Sequence, residues 1–173
     1  MATNEDLPKV AYCWTWNYRR NRIGTPLTES EASSRDAEGD EYTAVLSTHP
    51  GLSHPILVTI CWKNAYASTQ FLDDHGRPHV QYEFAKVSDK QLFLKRVFIW
   101  EYPDDNPRLT VKDSKVYEEF DYREDGYLKH TKFNEYENVK DIAEYKETSV
   151  EANWEPVPEF GEYGSIARWE RST

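Results

Sequence analysis

Two charged side chains stand where the alternation of the chain calls for apolar ones. Arg96 falls between Leu94 and Phe98, on the strand face that also carries Leu92 and Trp100, and Glu118 falls between Val116 and Phe120. An unpaired charge is costly to bury, so each needs a partner, water or a ligand. If both line one cavity, Arg96 suits a carboxylate or an enolate and Glu118 suits proton transfer. The simpler account is that they pair with each other or reach solvent at the end of a sheet.

Around them the chain places rings. Tyr12, Trp14, Trp16, Trp62 and Trp100, with Tyr82 and Tyr122, are either an aromatic core or the wall of a pocket in which a few polar groups orient a small molecule. Arg19, Arg20 and Arg22 beside the first of these rings would suit stacked bases and phosphates. His75 and His79 lie near Asp73 and Asp74, but a hairpin through them sends the two imidazoles to different places, so no metal centre is expected. His49-Pro50 and His54-Pro55 read as a loop entering a strand. The chain carries no G-x-S-x-G elbow, P-loop, dinucleotide fingerprint or H-E-x-x-H, and Gly161 to Ser165 has its serine misplaced for the first. No cofactor is called for, and no catalytic residue is assigned.

These side chains must be held by strands. Val10, Tyr12, Trp14, Trp16 and Tyr18 alternate with smaller residues at the period of a strand. Ile56, Val58, Ile60 and Trp62 repeat the pattern, and Leu92 to Tyr102 is apolar on both faces, as in a central strand. A two-residue turn at His75-Gly76 sets Phe71 opposite Val80, Thr69 opposite Tyr82, Ala67 opposite Phe84 and Gln70 opposite Gln81. A second at Asp125-Gly126 sets Glu119 opposite Lys132 and Asp121 opposite His130, with Val116, Phe120, Tyr122 and Phe133 on the other face. The two hairpins share a Phe, Asp, Gly pattern: Phe71, Asp73, Gly76 and Phe120, Asp121, Gly126. Two further strands are expected around Tyr145 to Trp154 and Phe160 to Trp169, with Asn138 to Lys146 as a strand or a short helix. Thr28 and Glu31 fit a capping box that Gly39 would end, so 24–41 is a short helix or a mobile loop. The expectation is one mainly β domain over 1–173, residues 1–8 disordered. It is a single antiparallel barrel or sandwich of eight to ten short strands with at most one or two short helices.

Aromatic residues make up 14% of the chain and supply a core that aliphatics alone would not. Cys13 and Cys61 read as small buried strand residues. No apolar run suits a leader or a membrane span, which fits a soluble cytoplasmic protein. The net charge of −10 argues against nonspecific nucleic-acid binding. That charge is uneven, with 19 acids against 10 bases from Glu101 onward and 12 against 11 before it. Three functions follow: a small-molecule-binding barrel with an aromatic cavity, an acidic inhibitor- or immunity-like module docking a basic protein, and a barrel enzyme such as a cyclase or isomerase. The ligand-binding reading rests on Tyr12, Trp14, Trp16, Trp62, Tyr82, Arg96, Trp100, Glu118 and Tyr122, and its ligand would be a small apolar or aromatic molecule.

Overall fold

The computed structural model describes residues 10–47 and 51–171, and the expectations for residues 1–8 and for His49-Pro50 lie outside the described residues. In chain order the elements are β1 (Val10–Asn17), β2 (Arg22–Leu27), α1 (Glu29–Glu38), β3 (Tyr42–Leu46), β4 (Ile56–Cys61) and β5 (Tyr66–Leu72). There follow β6 (Pro78–Lys86), β7 (Gln91–Glu101), β8 (Val116–Tyr122), β9 (Leu128–Asn134), β10 (Val139–Tyr145) and β11 (Trp154–Pro156). All eleven strands join one antiparallel sheet in the order β10-β9-β8-β7-β6-β5-β4-β3-β1-β2, with β11 on β7. Among the described residues the sheet does not close, and β10 and β2 are its edges. The strands exceed the number expected because Arg22 to Leu27 folds back as β2 and Tyr42 to Leu46 pairs between β1 and β4. Within residues 138–146, Val139–Tyr145 forms strand β10 and not a helix, whereas Phe160 to Trp169 forms no strand. Both cysteines are buried, in β1 and β4. Among the described residues no helix is long and apolar enough to cross a membrane.

Helix α1 begins at the expected box. Thr28 Oγ1 accepts from the Glu31 amide at 3.2 Å, and the Glu31 carboxylate accepts from the Thr28 amide at 2.7 Å. Gly39 ends the helix at φ 78°, a left-handed position that glycine takes without a steric penalty.

Both hairpins turn through three residues where two were expected. Asp73 N donates to Arg77 O at 2.8 Å and Gly76 N to Asp73 O at 2.9 Å; in the second hairpin Arg123 N donates to Tyr127 O at 2.9 Å and Gly126 N to Arg123 O at 3.0 Å. The left-handed glycine closes each loop, and an aspartate, Asp73 or Asp125, accepts a nearby amide. The glycine of the shared pattern serves the turn in both hairpins, but its aspartate does not, because Asp121 lies within β8 opposite Lys129. In the first, a register shift between Phe71 and Leu72 absorbs the third residue, so the four expected pairs are all present. In the second nothing absorbs it. Glu118 faces Lys132, Glu119 faces Thr131 and Asp121 faces Lys129, which corrects the expected Glu119–Lys132 and Asp121–His130 pairs. The slip of one residue also carries Phe133 to the face of Tyr117, away from Val116, Phe120 and Tyr122.

One face of the sheet is covered. Tyr42, Val58, Ile60, Phe71 and Phe84 form its buried core, and α1 through Ala32 and the C-terminal chain through Tyr163, Ile166 and Ala167 lie over them. The cover is also hydrogen-bonded: Thr69 Oγ1 donates to Ile166 O at 2.9 Å, and Tyr82 OH to Trp169 O at 2.9 Å. Arg168 and Arg171 both hold the buried Glu155 carboxylate on β11. Ile166 is fully buried in a segment without secondary structure, so its docking is a tertiary event. Ile166→Ala should cost about 2–5 kcal/mol, read as a lowered urea midpoint at unchanged slope, while the exposed Val87→Ala should stay within about 0.5 kcal/mol. An unchanged midpoint for Ile166→Ala would mean that the segment does not cover the sheet.

Candidate functional site

Strand β7 carries one residue more than its partner between two successive pairs. Glu83 opposes Arg96 and Phe84 opposes Leu94, which leaves Lys95 as a bulge. A bulge exchanges the faces of everything beyond it. Leu92 and Leu94 therefore enter the covered core, but Arg96, Phe98 and Trp100 turn to the other, open face. The expectation that Arg96 and Glu118 share one cavity is corrected. Glu118 opposes Ile99 on the covered side, and Arg96 stands on the opposite side of the same sheet.

Arg96 there meets a row of polar side chains. Tyr18 OH donates to Gln70 Oε1 at 2.5 Å, Gln70 Nε2 to Gln81 Oε1 at 2.9 Å, and Gln81 Nε2 to Glu83 Oε1 at 2.9 Å. Arg96 Nη2 lies 3.0 Å from Glu83 Oε2 and ends the row in an ion pair. Burial raises the Tyr66 phenol, which stays protonated and donates to Glu83 Oε1 at 3.4 Å. Each amide both donates and accepts, so the row is directional and its members hold one another's orientation.

Above this row lies a cavity of about 410 Å³. Phe98 and Trp100, stacked at 5.7 Å between ring centroids, form its apolar wall, and the 107–111 segment, with Pro107 and Leu109, forms its roof. Arg19 and Arg108 stand exposed at its rim. A second hollow of about 230 Å³ adjoins it, sharing Tyr18, Gln70 and Gln81 and lined by Trp16, Thr43, Thr59 and Ser68. The Trp16 indole nitrogen is buried there without a partner among the described residues. Together the two hollows form a trough with a polar floor and aromatic sides.

The sequence-derived set divides between the faces. Trp16 and Trp100 line the open-face trough, and Arg96 stands on the same face, outside that lining and paired with Glu83. Tyr12 lies in the covered core, stacked on Phe160 at 5.1 Å, and Tyr82 and Tyr122 border a separate space of about 860 Å³ between the sheet and the C-terminal chain. Trp14 is the bulged residue of β1, exposed beneath the Arg35 guanidinium at 4.9 Å, and Trp62 donates to Asp36 on α1 at 2.8 Å. Glu118 is held by His130 at 2.8 Å and Lys132 at 3.0 Å. Burial acts to raise its carboxyl, but Lys132 and His130 outweigh burial and hold it below the usual range, so it is a poor proton acceptor. His75 pairs with Asp105, and His79 Nδ1 meets Trp100 O at 2.9 Å. Among the described residues no group of His, Cys, Asp or Glu is placed to hold a metal ion. Sequence reading missed Glu83, Phe98 and the roof; the pairing of Gln70 with Gln81 on the polar face was the one signal that pointed to the trough.

The roof is held by a buried cation. Arg77, 6% exposed, pairs with Asp73 at 2.7 Å, donates to Asp104 O at 2.6 Å and Asn106 O at 3.2 Å, and stacks over Tyr102 at 4.2 Å. Burial raises the Asp73 carboxyl, but the Arg77 side chain and the amides of Arg77 and His75 prevail and hold it below the usual range. A depressed carboxyl contributes stability that is complete above its unfolded value of about 3.9 and is lost as pH falls through the lower, folded value. Arg77→Ala should therefore cost about 3–5 kcal/mol at neutral pH and flatten the acid limb of stability against pH, measured by urea midpoints between about pH 2 and 7. An unaltered acid limb would assign that limb to other carboxylates. Comparison of the chain with protein-family models, with characterised proteins and with solved structures found no match.

Proposed function

We propose that the open-face trough binds a small molecule with a flat apolar body and a polar edge. The observation that carries this reading is the hydrogen-bonded row Tyr18, Gln70, Gln81 and Glu83 at the foot of a cavity walled by Phe98 and Trp100. Ligand sites characteristically combine apolar walls with a few oriented polar groups, at volumes of about 300–1,000 Å³. A ring stacked on Trp100 would leave its edge facing the amides of Gln70 and Gln81, which offer both donors and acceptors. Arg19 and Arg108 at the rim favour an anionic edge over a cationic one. The acidic chain as a whole repels anions, so attraction is confined to this local pair.

The test is retention of a ligand from a small-molecule extract, read by native mass spectrometry after desalting. The native chain should retain an aromatic, acid-bearing compound. Gln81→Met keeps the volume but removes the central amide of the row, and should weaken binding by about tenfold. Tyr122→Phe lies outside the trough, beside the space on the covered face, and should leave affinity unchanged. A ligand lost with Tyr122→Phe but kept with Gln81→Met would move the site to the covered face and overturn the reading.

A further inference from the structure

The two edges of the sheet differ. On β2, Pro26 lacks a backbone donor, and the pairing with β1 is broken by two register shifts, so this edge is poorly suited to accept another strand. On β10 the pairing with β9 runs from Val139 to Tyr145 without a shift, leaving a straight outer edge of seven residues. That edge exposes Val139, Ile142 and Tyr145, each at least 40% accessible. A regular edge strand with exposed apolar side chains is a template for strand addition.

The charges on β10 select the partner. On the open face, residues opposite one another across successive strands run Glu83, Arg96, Asp121, Lys129 and Glu144, alternating in sign out to the edge. An antiparallel pair of identical strands keeps its faces aligned only when the two-fold axis passes beside a residue that opposes itself. Centres at Val139 and Tyr145 overlap only the ends of the strand. Centres at Lys140, Asp141 and Glu144 each set a charge against its own copy, and a centre at Ala143 sets Lys140 against Lys146. Of the inner centres, Ile142 alone opposes no like charges over residues 138–146, its first like pair, Glu137 with Glu147, lying outside the strand. It sets Ile142 against Ile142, Val139 against Tyr145, and Lys140 against Glu144 twice, so the alternation continues from Lys129 through Glu144 to Lys140 of the second copy.

We propose that two copies of this chain join edge to edge through β10, in the antiparallel register centred on Ile142, to form one continuous sheet. The mechanism is β-augmentation with charge-selected register, and Lys140 and Glu144 fix the partner as a second copy.

Sedimentation equilibrium at about 0.15 M salt, where screening acts beyond about 8 Å, measures it. The native chain should dimerise. Lys140→Glu and Glu144→Lys, both at exposed positions, should each weaken dimerisation by at least about tenfold, because each opposes like charges twice. An equimolar mixture of the two variants should form heterodimers, since each substituted side chain then meets an opposite charge across the junction, and the double variant should recover self-association. Unchanged circular dichroism would establish that the variants fold. A native chain monomeric at every concentration would overturn the proposal, as would single variants that dimerise normally or a mixture that fails to pair.

Discussion

Where β6 passes from Glu83 to Phe84, β7 passes from Leu94 to Arg96, and the difference of one residue governs the rest of the molecule. Strand side chains alternate strictly, so without the bulge at Lys95 either Leu94 would lie on the open face or Arg96 would enter the apolar core. With it, Leu92 and Leu94 complete the core while Arg96, Phe98 and Trp100 meet Glu83 and Gln81 on the other side. The charge that looked misplaced in a linear reading is thus placed on a half-exposed face, beside a carboxylate. A bulge at Trp14 acts similarly in β1, sending Tyr12 to the core and Trp16 to the trough.

The division into a covered and an open face depends equally on the C-terminal chain. Thr69 and Tyr82, on the central strands β5 and β6, hold backbone carbonyls of Ile166 and Trp169 from the far end of the sequence. Those bonds satisfy groups in a segment that has no ladder of its own, which is what allows an irregular chain to lie against an apolar sheet. Among the described residues the open face is covered only in part, by the 107–111 roof. Its polar side chains satisfy one another along the row from Tyr18 to Arg96, and the trough is what remains above them.

The acidity of the C-terminal half also looks different once folded. Counted along the chain, acids exceed bases by nearly two to one after Glu101. Across the sheet, Asp121 lies between Arg96 and Lys129, and Glu118 is held by Lys132 and His130. Register sets these two acids against opposite charge but leaves most of the excess in place, and at the β10 edge the charges of the open face alternate in sign.

By itself the sequence determined the antiparallel β class and the pairing of Gln70 with Gln81, and it marked Thr28 and Glu31 as a capping box while leaving 24–41 open between a short helix and a loop. These are local quantities, fixed by side-chain alternation, by the chemistry of a helix end and by a short hairpin loop. Tertiary structure decided the faces. An extra residue in a strand or a turn leaves the hydrophobic pattern almost unmarked, yet it reverses every side chain beyond it, so the bulge at Lys95 and the three-residue loop at Gly126 separated Arg96 from Glu118 and moved Lys132 from Glu119 to Glu118. The cover by residues 157–169 and the roof held by Arg77 were equally hidden, because both join segments far apart in the chain, and no local propensity encodes such contacts.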